Sequence, residues 1–500
     1  MDRKRLTTSF VIAAVISFIV LLLLNDFGIT WDEPTYMVSG DMYVAWMKKP
    51  ELTKKDNVFR ATLDLHPPLR KILTGITHEV LTQRLRILDN TRGYRISSLL
   101  FVFPFILVFS YIAIGQFGYL FGIVLPFMYS LLPHVLFLTP LVTLDYAIAS
   151  LWFIAVVTGM KGVTSYKWLT ISAVIVGLSL LTKLHGFLLF IPIAMYLFWY
   201  YRRTKRNVIK RLGYLIVIAF LVYVVGWPWL WTSPIAHVSE YFRIQLEHTS
   251  PSVYIFGQIY PHAPWWYTPL MFLTTTPVFV LVLFFIGATY AIFKGRTWDR
   301  LILMNALFPI VFFSLPWVYR YDWVRLFLAC FPFVCLVAGR GIAVIISSLR
   351  PSLRSIGMII ILSAWMVTVY QSVIRIHPWE SAYYNEIVGG IHGAYQMGFE
   401  TDYWGNANLA ILSWMNANKK DMMCVSPTTN PFYYYQAMGS LEPGVVFNAE
   451  RDACKYIIIS MRQGLFVRDP FVARIVQTQQ PVYTVSIDDV PLVSVYNIEK

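Results

Sequence analysis

RKRLTTSFVIAAVISFIVLLLLNDFGITWDEP, residues 3–34, is the stretch on which the reading of the whole chain turns. Three basic residues, Arg3, Lys4 and Arg5, precede an almost unbroken apolar run from Thr8 to Leu24. A secretory leader has the same basic start and apolar centre. Here Asn25-Asp26-Phe27-Gly28 supplies no small-x-small cleavage site, so the run is read as an uncleaved membrane span. It ends on Thr30-Trp31-Asp32-Glu33-Pro34, two adjacent carboxylates at a membrane edge. Charges there are costly unless solvated, paired or bound to something. Asp32 before Glu33 and Pro34 is also a good helix start, with Asp as cap and Pro in the first turn.

The rest of the chain repeats the pattern. Of 500 residues, 57% are hydrophobic and 14% charged, against roughly 25% charged in soluble domains. Apolar runs recur near 95–115, 118–138, 143–160, 168–182, 185–201, 212–230, 269–293, 300–318, 325–347 and 354–373. With the first, they predict about eleven spans. The net charge of +14 would suggest nucleic acid in a soluble protein. Here the basic residues sit between apolar runs and read as orientation signals, which argues against a nucleic-acid partner. Lys161, Lys167, Arg202, Arg203, Lys205, Arg206, Lys210, Arg211, Lys294, Arg296, Arg300, Arg350 and Arg354 all fall in alternate connections, opposed only by Asp299. That asymmetry puts the N-terminus in the cytoplasm of a multi-pass cell-membrane protein, with the C-terminal part outside.

Three outer segments are long: 25–94, 231–267 and everything after about 375. In the first, Leu69, Ile72, Leu73, Ile76, Val80, Leu81 and Leu88 recur at mostly helical spacing, with Arg70, Lys71, Arg84 and Arg86 between them. This predicts an amphipathic helix in the interface. The last segment alternates short β-rich runs (422–425, 445–447, 456–460, 482–487, 492–496) with helical stretches near 405–418 and 465–478. The expected fold is therefore an α-helical polytopic membrane domain, 1–375, followed by a small extracytoplasmic α/β domain, 376–500. Cys424 and Cys454 lie in that last part, where an oxidising compartment would let them pair; two buried thiols is the other reading.

Candidate chemical groups gather on the outer side. Asp32 and Glu33 follow the first span. His66 is held rigidly before Pro67 and Pro68. Asp145 opens the fourth span, Lys183 lies between the fifth and sixth, and Arg320-Tyr321-Asp322-Trp323-Val324-Arg325 precedes the tenth. Each alone reads equally well as a snorkelling anchor or a structural ion pair. Together they suggest one-sided chemistry at the lipid–water boundary. A transporter or flippase of lipid-linked sugars, the alternative, would place ionisable groups at mid-depth on interrupted helices. A sugar on a lipid phosphate already carries a good leaving group. It needs a base for the acceptor hydroxyl and cations for the departing phosphate.

In order along the chain, Gly28-Ile29-Thr30-Trp31-Asp32-Glu33-Pro34, His66-Pro67-Pro68-Leu69, Asp145, Leu180-Leu181-Thr182-Lys183, Pro264-Trp265-Trp266-Tyr267-Thr268-Pro269, Thr276-Pro277 and Arg320 to Arg325 carry a resemblance. So do His377-Pro378-Trp379-Glu380-Ser381-Ala382-Tyr383-Tyr384-Asn385-Glu386 and Asp402-Tyr403-Trp404-Gly405. The chain resembles the protein O-mannosyltransferase-like branch of the GT-C membrane glycosyltransferases, glycosyltransferase family 39 and its bacterial relatives. The resemblance implies a mannosyltransferase-like, inverting transfer of a sugar from a dolichyl- or polyprenyl-phosphate donor outside the cytoplasm. The acceptor would be a lipid, glycan or protein. It casts Asp32 as base with Glu33 beside it. His66, Asp145, Lys183, His262, Arg320, Tyr321, Asp322 and Arg325 are the substrate-binding candidates. A divalent cation, Mg2+ or Mn2+, would find ligands in Glu33, His66 and His262. The eukaryotic enzymes of this resemblance carry a lumenal β-trefoil, for which 231–267 is far too short.

Overall fold

The computed structural model describes residues 2–50, 66–201, 205–247 and 250–498. Arg202 and Arg203 of the expected cytoplasmic connection, and the 51–65 stretch of the first outer segment, lie outside them.

The chain is a multi-pass membrane protein built mainly of helices. The first, Arg3–Leu22, buries Ile12, Ala13, Ile16 and Val20 on one stripe and leaves Phe10, Val11, Phe18 and Leu22 exposed. An apolar outer face suits lipid, where side chains lose nothing by facing out. The next long segment, Asn90–Ser130, has 41 residues, about twice what one crossing needs. It breaks at Gly118 (φ 80, ψ 174), a backbone conformation open to glycine. Beyond the break a methyl group on Gly122 would meet the backbone of Ile114, so the two arms lie against each other. Helices Val278–Phe293 and Phe331–Ser348 touch through glycines: a Cβ on Gly341 would collide with the Leu283 carbonyl. Small residues that let backbones approach are the usual contact between helices in lipid.

The expected count of eleven spans is not confirmed. Among the described residues five helices are long and apolar enough to cross, or six if Tyr267–Thr275 and Val278–Phe293, bent by 115°, count as one. Several runs shorten because polar groups cut them. Tyr166–Leu180 stops before Thr182 and Lys183, Asp145–Gly162 starts on a carboxylate, and Pro277 separates the bent pair.

The helix expected near 69–88 forms as Leu69–Thr77 continued by a wider turn, His78–Arg84; Arg84 and Arg86 are exposed as expected, but Arg70 and Lys71 point the other way. Arg70 is buried and donates to the hydroxyls of Ser97 and Ser98 and to the carbonyls of Leu141 and Thr143. Lys71 Nζ donates to the His66 carbonyl at 2.7 Å. Ile76, Val80, Leu85 and Ile87 face outward instead. Solvating two cations internally requires this rotation, because their acceptors are loop carbonyls on the protein side.

The polar C-terminal part contains a four-stranded sheet. After a short hairpin, β1 (Val253–Ile255) and β2 (Gln258–Tyr260), come β3 (Met423–Ser426), β4 (Tyr456–Ser460), β5 (Tyr483–Ile487) and β6 (Val490–Asn497), in sheet order β3-β4-β6-β5. β3 and β4 are parallel; the other pairs are antiparallel. Alternation along β4 sends Ile457 and Ile459 to one side with Val472 and Ile475 of helix Pro470–Thr478. Ile458 goes to the other side with Ile411 and Met415 of helix Asn408–Ala417. The expected strand at 445–447 is absent; Val446 only accepts a single bond from the Met423 amide. Cys424 and Cys454 form a disulfide. The core beneath the sheet also takes in Ile29, Tyr36, Met37 and Tyr94, so the first outer segment and the C-terminal part share one hydrophobic interior.

Candidate active site

Asp32 precedes helix Glu33–Lys48, as expected, yet its side chain caps nothing. It turns instead to Arg325, whose Nη2 lies 3.1 Å from Asp32 Oδ2. The same guanidinium reaches Asp145 Oδ2 through Nε at 3.2 Å and Asp322 Oδ2 through Nη1 at 2.7 Å. One planar fork thus serves three carboxylates, a geometry lysine cannot reproduce. Lys183 Nζ closes on the other oxygen of Asp145 at 2.6 Å. The indole of Trp404 lies against the Arg325 guanidinium, 3.8 Å from its centre.

Each member comes from the end of a structural element. Asp145 is the first residue of helix Asp145–Gly162. Lys183 is extended between helix Tyr166–Leu180 and the turn Leu184–Leu189. Asp322 and Trp323 sit in left-handed backbone, φ 54 and 60, which costs energy for residues other than glycine. The Trp323 amide is held by the Tyr267 hydroxyl at 2.8 Å, and its ring stacks on Tyr403.

The carboxylates differ in access. Asp145 is fully buried and Asp322 about as closed, with 10% of its side chain exposed, whereas Asp32 keeps 38%. Desolvation raises the Asp32 carboxyl above its ordinary value, opposed by Arg325; water at its open edge limits that rise. Burial also pushes Asp322 upward, but Arg462 and then Arg325 outweigh it and hold the group below the usual carboxylate range. Burial lowers Lys183, against the pull of Asp145. His66 is pushed well below 6.5 by burial and by the charges of Lys183, Lys71 and Arg325, so its imidazole is neutral. Tyr321 is near enough to feel Arg325, Asp322, Asp32 and Asp145; burial raises its phenol to about 12.

The structure therefore brings Asp32, Asp145, Lys183, Asp322 and Arg325 into contact, with His66 and Tyr321 beside them. Glu33 does not join them. It is fully buried on the opposite side, bound by Arg95 through Nε at 2.9 Å and Nη2 at 2.7 Å, by the Val142 amide and by the Thr30 amide. Arg95 also donates to the carbonyls of Leu24, Phe27 and Gly28. Arg320 is buried and gives Nη2 to the carbonyls of Leu315 and Pro316. His262 is exposed, its ring 6.5 Å from that of Tyr319. Among the described residues no three His, Cys, Asp or Glu side chains are grouped to hold a metal ion. The expected set fails on its donors: Arg95 and two amides occupy both Glu33 oxygens, so Glu33 has none to offer a cation.

Sequence reasoning missed two members. Arg462, just past β4, is buried against Asp322 Oδ1 and lies 3.1 Å from Glu400 Oε1. Burial pushes the Glu400 carboxyl up to about 7, against Arg462. Glu400 stands two residues before the quoted Asp402-Tyr403-Trp404-Gly405, a proximity that signals it; Arg462 carries no such signal. Asp402 is itself raised to about 6 by burial while it accepts from the Gly405 amide.

A family model described as dolichyl-phosphate-mannose-protein mannosyltransferase matches residues 66–229. The crystal structure of ArnT from Cupriavidus metallidurans bound to undecaprenyl phosphate is similar, with a TM-score of 0.53 at 14% identity over 97% of each chain. The apo ArnT structure from the same organism gives 0.54 at 15% over the same shares. No curated protein matches the sequence. Nothing in these comparisons favours the transporter or flippase alternative. The chain shares the ArnT fold from end to end, and its residues 66–229 match the dolichyl-phosphate-mannose-protein mannosyltransferase family, so it is similar to the GT-C-type membrane glycosyltransferases.

Proposed function

We propose that the chain moves a sugar from a polyprenyl-phosphate donor to an acceptor hydroxyl of a lipid, glycan or protein, inverting the anomeric centre, at the outer face of the cell membrane. The donor class is supported by the matched family's description and by the undecaprenyl phosphate in the similar ArnT structure. The orientation is supported by the basic connections of the sequence and by the Cys424–Cys454 disulfide in the C-terminal part, which suits an oxidising compartment.

The observation that carries the reaction is the unequal access of the three carboxylates around one arginine. Asp145 and Asp322 are closed in and hold Arg325 in place. Asp32 is the one with an open edge. Donor phosphate arriving at Arg325 and Lys183 competes with Asp32 for the guanidinium, and the weakest-held partner gives way. Asp32 is then free to accept the proton of the acceptor hydroxyl as that oxygen attacks the anomeric carbon. The bond from that carbon to the phosphate oxygen breaks, and the polyprenyl phosphate leaves with its charge against Arg325 and Lys183. His66 and Tyr321, neutral at pH 7, are placed to hydrogen-bond sugar or phosphate without adding charge. Glu33 is assigned to the scaffold. A requirement for Mg2+ or Mn2+ forms no part of this mechanism.

The test is transfer of labelled sugar from polyprenyl-phosphate donors by the purified protein and by Asp32→Asn. A general base contributes about 10²–10⁴-fold, so the variant should lose about that factor while remaining folded. Wild-type turnover in Asp32→Asn would remove Asp32 as base.

A further inference from the structure

The arginine that holds the open carboxylate is itself held from the other end of the chain. Arg462 leaves the sheet just beyond β4 and is buried to 1% exposure. Its Nη2 takes Asp322 Oδ1, its Nη1 donates to the Tyr403 carbonyl at 2.7 Å, and its Nε faces Glu400 Oε1. The rings of Tyr403 and Trp31 pack over its guanidinium at 5.0 and 5.9 Å. Trp31 is the neighbour of Asp32, and its amide donates to the carbonyl of Trp404, the residue that covers Arg325. Glu400, Arg462, Asp322, Arg325 and Asp32 thus form one line of alternating charge from the C-terminal sheet to the membrane domain.

Asp322 is the hinge of that line. Its backbone is in the left-handed region, and its two oxygens go to two different arginines. Without Arg462, Oδ1 would be a buried acceptor with no cation. The side chain would then be free to swing both oxygens onto Arg325, drawing the guanidinium away from Asp32 and from an incoming phosphate. We propose that Arg462 is a positioning residue of the active site, fixing Arg325 through Asp322. The C-terminal domain is then part of the catalytic unit.

This rests on the reaction proposed above, and the test separates the two. A double-mutant cycle over Arg462→Gln and Asp322→Asn is read twice in the full-length protein: as Kd for undecaprenyl phosphate and as sugar transfer. Arg462→Gln alone should weaken both by about ten- to hundredfold. In the Asp322→Asn background it should cost no more than about twofold, because the group it acts through no longer competes for Arg325. Equal losses in both backgrounds would mean that Arg462 only supports the fold, and would overturn the proposal. If Arg462→Gln does not yield monodisperse protein, the cycle is run with Arg462→Lys, which keeps the charge but not the fork, and the same non-additivity is required. A protein that binds undecaprenyl phosphate but transfers no sugar refutes the reaction while the Kd cycle still decides on Arg462. Sound transfer with additive losses refutes Arg462 alone. A wild-type protein that does neither removes both.

Discussion

Two carboxylates adjacent in sequence, Asp32 and Glu33, are assigned opposite duties, and Glu33→Gln is the sharpest way to test that division. The glutamate accepts two bonds from Arg95 and one each from the amides of Val142 and Thr30, with no solvent access. The amide keeps the shape and one acceptor oxygen, but it removes the charge that neutralises Arg95 and presents an NH2 where an acceptor is needed. Breaking a buried pair by removing one partner costs about 3–5 kcal/mol, chiefly because the other charge is stranded. Arg95 retains three carbonyl acceptors, from Leu24, Phe27 and Gly28, which argues for the low end, about 3 kcal/mol. For a large chain that lowers the apparent melting temperature by roughly 2–5 °C. The assay is thermal unfolding in detergent alongside sugar transfer per folded molecule. Glu33→Gln should unfold earlier yet keep turnover within about threefold, less than a lost general base would cost. Asp32→Asn should do the reverse. A Glu33→Gln protein as stable as wild type and as inactive as Asp32→Asn would refute the assignment.

Other expectations follow from the same geometry. Arg325→Lys keeps a charge but cannot bridge Asp32, Asp145 and Asp322 together, so transfer should fall by about 10²-fold or more with a weaker Kd for undecaprenyl phosphate, measured by equilibrium binding. The base must be ionised, and desolvation raises Asp32. On log kcat/KM against pH, the acidic limb should fall one decade per pH unit from a midpoint above the ordinary aspartate value, and be absent in Asp32→Asn. Glu400 binds its proton more tightly in the fold, at about 7, than in the unfolded chain. Its contribution to stability is therefore complete below about 4.5 and lost as pH rises through 7. Glu400→Gln should flatten the stability profile across that window, read by unfolding at fixed pH steps. Cys424 and Cys454 are 30 residues apart and bridged. Their replacement by serine should loosen the C-terminal sheet by about 3–4 kcal/mol, seen as faster proteolysis of the 423–460 region.

Much of this site could be read before the fold was known. Asp32, Asp145, Lys183, Asp322 and Arg325 stand out because ionisable residues at the ends of apolar runs are expensive and must be answered by one another. The partners themselves could not be read, because they are set by packing. Consecutive residues at a helix start project about 100° apart, so nothing in Asp32-Glu33 says that one faces a cavity and the other Arg95. Arg70 and Lys71 look like surface cations on an amphipathic helix until the loop carbonyls that receive them are placed. Arg462 lies more than a hundred residues from Asp322, in a strand-rich region where a lone arginine reads as surface. The number of crossings is not confirmed for a related reason. Hydropathy records composition, and runs such as 143–160 and 168–182 surrender residues at the charged end to the site.

The reversed face of the helix at Leu69–Thr77 bears on how that segment holds the bilayer. A peripheral helix of the familiar kind grips anionic headgroups with its cations and lets go when ionic strength rises. In this one Arg70 and Lys71 are spent on the protein's own carbonyls and hydroxyls, and what it turns outward is Ile76 and, just beyond, Val80, Leu85 and Ile87, with Arg84 and Arg86 beside them. The Leu69–Thr77 part therefore holds lipid without cations of its own, and the segment's response to salt and headgroup charge falls to the exposed Arg84 and Arg86. His66 and the Arg70 contacts to the Asp145 loop stay anchored alike in a neutral bilayer or an acidic one.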